Sequence, residues 1–389
     1  MRELQGVNPT GDPAERGPLS GLVVADFSRI LAGPYATMML ADLGADVIKV
    51  ESPAGDDTRT WKPPTRDDQS TYYLAINRNK RSIALDLTDP DDLAVAQRLA
   101  ARADVMVQNF RHGGLDRFGL DHDTVRAANP GLVYASITGF GSGEGAALPG
   151  YDLMVQAISG LMSLTGDADG PPMRAGVAVC DVITGLHAAV GILAALQRRA
   201  DTGLGDHVEV DLLSSTLSGL VNQASAVVAG GVVPSRMGNA HPSIFPYDPM
   251  PTADGHIIVI AANDGQFRTL CTILGCPELL DDPRFTTNAE RTANRAELEP
   301  LLVDALRTRT TGEWFESFRA AGLPGGPVHT VAEGVAFAES LGLSPVVEVD
   351  GVPSIRNPIA LGTAAPSYRH GPPSIGQHDA EIRAWLDER

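Results

Sequence analysis

The sequence predicts an α/β protein, with a parallel, doubly wound, Rossmann-like sheet in a large domain and a smaller α+β domain beside it. Three observations predict this. Apolar strand-like runs alternate with amphipathic stretches from Leu22 to Phe140. From Gly150 onward the pattern turns helical, and a Pro-, Asn- and Gly-rich stretch, RMGNAHPSIFPYDPM, then reads as a linker and change of domain. With 389 residues, the chain is also too long for one small core.

In chain order, LVVADF (22–27) reads as a buried strand and SRILAGP as a loop. YATMMLADLG reads as a short helix, with Pro34 in its first turn and Gly44 where a C-cap belongs. ADVIKVE (45–51) is the next strand, which completes a β-α-β unit. SIALDL (82–87) is a strand, and DPDDLAVAQRLAARA is a helix that opens on acids, as its dipole favours. DVMVQNF (104–110) and LVYASITGF (132–140) are strands separated by the helical HDTVRAAN. YDLMVQAISGLMSLTG is expected to be one helix and VITGLHAAVGILAALQRRA a longer one, before the short strand HVEVDLL. The second domain opens with the strand HIIVIAA (256–262) and continues with helices near 265–276, 290–307 and 312–321. VVEVDGVPSIRNPIALG reads as strands that return to the first domain. The expected boundaries are 1–225 for the N-terminal part of the large domain, 226–330 for the small domain and 331–389 for the return.

Composition narrows the function. A net charge of −18 argues against nucleic acid or an anionic membrane as a main partner, because both need clustered Lys and Arg. Leu212–Val233 carries no charge, but Ser, Thr, Asn and Gln interrupt it, so it reads as a helix buried in the protein or a subunit interface rather than a membrane span. The opening MRELQGVNPTGDPAERG lacks the apolar core of a signal peptide. Cys180, Cys271 and Cys276 show no metal-ligand spacing and no CxxC, which fits a reducing cytoplasm and predicts no metal. GxGxxG is absent after the first strand, so a dinucleotide cofactor is weakly supported.

One residue breaks the pattern. GVAVCDVITGLHAAVGILAAL, from Gly176 to Leu196, holds a single acid, Asp181, among apolar and small residues. An unpaired ionised carboxylate in an apolar site is costly. It is either the N-cap of the helix that follows, or a carboxylate kept ionised at a helix N-terminus to act as a nucleophile. Gly176 and Gly185 would leave room for another chain or a ligand. Cys180 reads as a small buried hydrophobe rather than a nucleophile.

Taken together, LAGPYATMMLADLGADVIKVE, GDDTRTW, YYLAINRNKRSIALDL, DVMVQNF, LDRFGL, SITGFG, GYD, GPPMRAGVAVCDVITGLHAAVGILAAL, GNAHPSIFPY and IGQHDAEI resemble the class III coenzyme A transferases of CaiB/BaiF type over nearly the whole chain. The likeness is greatest to the succinyl-CoA:glutarate type. The related α-methylacyl-CoA racemases carry His in a GHD motif, whereas GYD puts Tyr151 there, and a phenol with pKa near 10 is a poor base at neutral pH. The formyl-CoA:oxalate branch has Gln where Leu31 stands, and its four-glycine run is replaced by GNAHPSIFPY.

The resemblance implies CoA transfer through Asp181 as covalent nucleophile, by way of aspartyl anhydride and aspartyl-CoA thioester intermediates, with an acyl-CoA (succinyl-CoA) as donor and a small dicarboxylate as acceptor. It implies CoA contacts at Ala32, Leu85, Asn109, Phe110, Arg117 and Tyr151, and a substrate pocket at Leu31, Trp61, Tyr72, Asp152 and His241. GNAHP is a candidate oxyanion donor. Arg29, Arg59 or Arg174 could pair a distal carboxylate, with surface solvation as the alternative for each. Lys80 and Arg81 could form an anion site or a solvated turn, and His378 reads as a structural residue of the tail. No tightly bound cofactor is expected, the coenzyme A thioester being a substrate. The implied assembly is a cytoplasmic homodimer of interlocked subunits.

Overall fold

The computed structural model describes residues 17–388. The chain divides into two compact units. Among the described residues, the first takes in 17–161, Arg174–Val232 and 344–388; the second takes Met162–Met173 and Val233–Leu343.

The first unit is built on six parallel strands: β1 (Val23–Asp26), β2 (Asp46–Glu51), β3 (Lys80–Ala84), β4 (Val105–Gln108), β5 (Val133–Thr138) and β6 (His207–Asp211). Their spatial order is β3-β2-β1-β4-β5-β6. The pleat sends alternate residues to opposite faces, so Val24, Val47, Val105 and Val107 enter one apolar core while Ala25, Ile48 and Met106 enter the other. The first face is covered by α1 (Ala32–Asp42) and the long α5 (Val179–Thr202). The second is covered by α2 (Pro90–Arg102) and α3 (His122–Ala128), and Ile382 and Leu386 of the last helix pack into it. Asp89 caps α2 by accepting from the Asp91 and Asp92 amides. α5 is long and apolar enough to cross a membrane, but its face bearing Cys180, Thr184, Ala188 and Ile192 is buried in the core.

Two expected helices are broken. YDLMVQAISGLMSLTG splits into α4 (Asp152–Ile158) and a single turn, Leu161–Leu164, because Gly160 takes φ +89° between them. The uncharged stretch splits into α6 (Leu212–Gly219) and α7 (Val221–Val228), with Val221 at φ +42°. Val221 and Val228 are exposed, the latter at 85%.

The second unit carries an antiparallel sheet of β7 (Tyr247–Pro251), β8 (His256–Ile260) and β9 (Gly325–Pro327), in the order β9-β8-β7. YDPMP, expected to be linker, is therefore a strand; it lies at the sheet edge, where the missing amides of Pro249 and Pro251 are tolerated. Its core holds Phe245, Ile257, Phe267, Leu302, Trp314 and Phe318. The unit runs from Val233 to Leu343 rather than 226 to 330. Helix Val331–Ser340 stays with it because Phe337 packs edge-on against Phe315. Residues 162–173 also join it, held by Arg236, which donates to the Asp167 and Gly170 carbonyls.

Candidate active site

β1 and β4 are neighbours, yet the chain leaves β1 towards β2 on one side and β4 towards β5 on the other. A crevice opens at such a point, at the carboxyl ends of the strands. Here it is lined by Arg29–Ala32 beyond β1, by Asn109, Phe110, Arg111 and His112 beyond β4, and by Ile137–Gly141 at the end of β5. Asn109 clasps the two sides together: its Oδ1 accepts from the Arg29 amide at 2.9 Å, and its Nδ2 donates to the Arg29 carbonyl at 2.8 Å. Ile30 sits at φ +72°, a conformation disfavoured for a β-branched residue.

Gly139 and Gly150 cross closely at the same place; a Cβ on either would come within 2.5 Å of the other's Cα. That crossing brings Tyr151 to the crevice wall and Asp152, the first residue of α4, to the N-terminal end of α5. Asp152 then caps α5 from outside. Its Oδ1 accepts from the amides of Cys180 at 2.8 Å and Asp181 at 3.3 Å, and its Oδ2 accepts from Gln156 Nε2 at 2.6 Å. The N-cap reading of Asp181 is thereby corrected: Ala178 occupies the cap position, Asp152 does the capping, and Asp181 lies in the first turn.

Asp181 lines the crevice, and burial together with the adjacent Asp152 charge pushes its carboxyl up to about 7. No cation among the described residues offsets these two causes. At neutral pH the group is thus divided between acid and carboxylate, and its carboxylate form is more basic and less solvated than an ordinary one, as suits a group that bonds to carbon. Beside it Cys180 is fully buried and its thiol is pushed up to about 11, so it stays protonated, in keeping with a small buried hydrophobe. The room at Gly185 is taken by α1 rather than a ligand, since a Cβ there would meet the Ala32 carbonyl at 2.6 Å; Gly176 has open space around it.

The other sequence-predicted residues fall into three groups. Ala32, Leu31, Asn109, Phe110, Tyr151 and Asp181 line the one crevice. Tyr72, stacked edge-on against Trp61 at 5.1 Å, is close enough to Asp181 and Asp152 that burial and their charges push its hydroxyl up to about 12. The remainder lie elsewhere. The Leu85 side chain is buried in the core on the α2 side of the sheet, because the strand pleat turns it inward. Arg117 is exposed on a short turn and stacks over Phe118. His241 belongs to the second unit, where its carbonyl accepts from Arg295 and its ring lies 5.3 Å from that of Tyr247.

Several charges read as anion sites are committed to internal pairs. Arg59 grips Glu51 with two nitrogens, at 2.8 and 2.7 Å, and also reaches Tyr73. Lys80 is wholly buried on Asp26, and Arg81 pairs with Asp46 and Glu381. Arg174 is exposed, whereas Arg29 stands at the crevice beside Asp57. His378 is structural as expected: its Nδ1 accepts from the Ser82 amide. Arg111 and His112 line the crevice and were not singled out in the sequence; their place directly after QNF at a strand end was the available signal.

The profile of CoA-transferase family III matches residues 19–379. The chain is 42% identical to a succinate–glutarate CoA-transferase of Agrobacterium fabrum, covering 97% of this chain and 98% of that one. It is 39% identical to an acetyl-CoA:oxalate CoA-transferase of Acetobacter aceti, over 95% of each. Among solved structures, a CaiB/BaiF family protein from Brucella suis is 44% identical with a TM-score of 0.87, covering 96% of this chain and all of that one.

Proposed function

We propose, from the premise that this chain belongs to CoA-transferase family III, that it moves coenzyme A from succinyl-CoA to a small dicarboxylate through Asp181. The chain is a transferase enzyme, and its substrates are an acyl-CoA and a carboxylate. The named relatives are transferases acting between carboxylic acids, and a racemase reading is not favoured. The observation that carries the mechanism is Asp181 itself, a half-buried carboxylate with no cation to offset Asp152, in the crevice at the strand ends.

The reaction runs in four balanced steps. A carboxylate oxygen of Asp181 attacks the thioester carbon of the donor; the C–S bond breaks, and coenzyme A leaves as thiolate, giving an aspartyl anhydride. The thiolate attacks the Asp181 carbonyl carbon, releasing the donor acid and leaving an aspartyl thioester. The acceptor carboxylate displaces the thiolate to form a second anhydride. The thiolate then attacks the acceptor's acyl carbon, and Asp181 is released as carboxylate. No net proton is taken up, and each anhydride is reached without large loss because it forms from a thioester, so an activated acyl group is kept at every step. Developing oxyanions are stabilised by donors that meet them.

Succinyl-CoA and a dicarboxylate acceptor are favoured by the succinate–glutarate relative and by Arg29 on the crevice wall, whose half-exposed guanidinium meets Asp57 through one nitrogen at 3.2 Å. Ala32, Asn109, Phe110 and Tyr151 are proposed to contact coenzyme A, with Trp61 and Tyr72 over the acyl end. We propose a homodimer that covers the exposed apolar residues of α7 and a reducing compartment such as the cytoplasm.

The test is trapping. Enzyme turning over with an acyl thioester and an acceptor is quenched with hydroxylamine or borohydride, and its peptides are mapped by mass spectrometry. An adduct at Asp181 is expected; measurable exchange with no adduct there overturns the mechanism. A panel of acids with succinyl-, acetyl- and formyl-CoA then identifies the donor and acceptor.

A further inference from the structure

The crevice wall beyond β1 is held by charges that never reach it. Ser28–Leu31 connects β1 to α1 and passes through Ile30 at φ +72°. Lys49, on β2, donates to the Ser28 carbonyl at 3.1 Å. Asp56 accepts from the Ile30 amide at 3.3 and 3.4 Å, and it also accepts from the Thr58 amide and hydroxyl. Lys49 and Asp56 pair with each other at 2.8 Å, and both side chains are fully buried. Neither residue lines the crevice.

A buried ion pair contributes little to stability compared with an apolar pair of the same volume, because desolvation of both charges offsets their attraction. Its value here is directional. One ammonium and one carboxylate fix a carbonyl and an amide two residues apart, on either side of Arg29, whose own backbone is clasped by Asn109. A left-handed isoleucine persists only where its surroundings over-determine it.

We propose that Lys49 and Asp56 are positioning residues, which hold Ser28–Leu31 in the strained path that shapes the crevice for coenzyme A. The proposal rests on the reading of that crevice as the coenzyme A site. It differs from a packing role in one respect: what matters is the hydrogen bonds to Ser28 and Ile30, not the volume filled or the charge.

Two double variants separate these. Lys49→Met/Asp56→Leu keeps volume and removes both hydrogen bonds. Lys49→Gln/Asp56→Asn removes both charges but keeps a donor and an acceptor. Coenzyme A binding is measured by calorimetry, with KM for succinyl-CoA and kcat by steady-state assay and amide exchange of residues 28–31 by mass spectrometry. The apolar variant is expected to bind coenzyme A at least tenfold more weakly, with a correspondingly raised KM, a kcat changed less than threefold and faster exchange in the segment. The polar variant is expected to stay within threefold of the parent in all of these. Equal affinity in the two variants, or unchanged exchange in the apolar one, overturns the proposal. Should the apolar variant not fold, Lys49→Gln/Asp56→Leu, which keeps a donor for Ser28 and loses the acceptor for Ile30 and Thr58, takes its place with the same expectations. Failure of the unaltered protein to bind coenzyme A would sink the reading of the crevice, while amide exchange would still decide whether the pair holds the segment.

Discussion

Two groups of carboxylates in the first unit meet opposite treatment. Asp26, Glu51 and Asp56 are buried and each is matched: Asp26 by Lys80 with Ser28 and Thr37, Glu51 by Arg59 and Ser82, Asp56 by Lys49. Burial pushes each up, but the cations and hydrogen bonds more than cancel it, and all three end below the usual carboxylate range. Asp181 ends at about 7, since burial raises it and its neighbour is another acid rather than a cation. Burial alone therefore does not set a carboxylate's character; the partner does. Matched carboxylates hold backbone in place, and the one without a cation is left available for chemistry.

The contrast is broken most severely by removing the reactive carboxylate. Asp181→Ala is expected to lower kcat by roughly 10³-fold or more, with coenzyme A affinity and the circular dichroism spectrum unchanged. Near-normal exchange in that variant would place the chemistry elsewhere.

Removing a matched carboxylate should act on stability instead. Asp26→Ala strands Lys80, whose ammonium burial already drags down to about 8 in spite of Asp26. A loss of about 3–5 kcal/mol is expected in urea unfolding. A change below about 1 kcal/mol would mean that the pair holds nothing.

pH separates the two groups by sign. Asp181 has a folded pKa above its ordinary 3.8, so the folded state binds its proton more tightly, and its contribution to stability is lost as pH rises from about 4 to about 7. Asp181→Asn should therefore be more stable than the parent above pH 7, by about 1–2 kcal/mol after solvent screening, with the gap closing below pH 4. Asp26, Glu51 and Asp56 have depressed values, so what they contribute is present above their unfolded pKa and is lost as pH falls through the folded one. Unfolding free energy of both proteins across pH 3–9 checks both signs.

The smallest effect sharpens the comparison at its source. Asp152→Asn keeps an acceptor for the Cys180 and Asp181 amides but removes the like charge, the lesser of the two causes that raise Asp181. The acid limb of the kcat/KM profile should move to lower pH, because Asp181 then ionises more readily. A limb that stays in place would assign the raised value to burial alone.

Much of this was open to reading along the chain. The β1–α1–β2 unit was plain because strand and helix periods, Pro34 and Gly44 all lie within a short span. Asp181 stood out as the lone charge between apolar flanks, and QNF marked a strand end that forms the crevice. Other features were hidden. The break at Gly160 looked like a tolerated glycine inside a helix, and YDPMP looked too rich in proline for a strand. Lys80 in NRNKRS reads as an anion site or a solvated turn, because its partner Asp26 is 54 residues away.

The sequence by itself determined the order of strands and helices, the parallel sheet and the identity of the odd carboxylate, since each is written in periodicity or in contrast with near neighbours. Only the tertiary structure decided which charges are spent on one another and which is left over. That choice depends on residues that meet across the sheet, where burial turns a modest solvent interaction into a strong one and the sign of the nearest partner fixes whether a side chain braces the backbone or stays free to react.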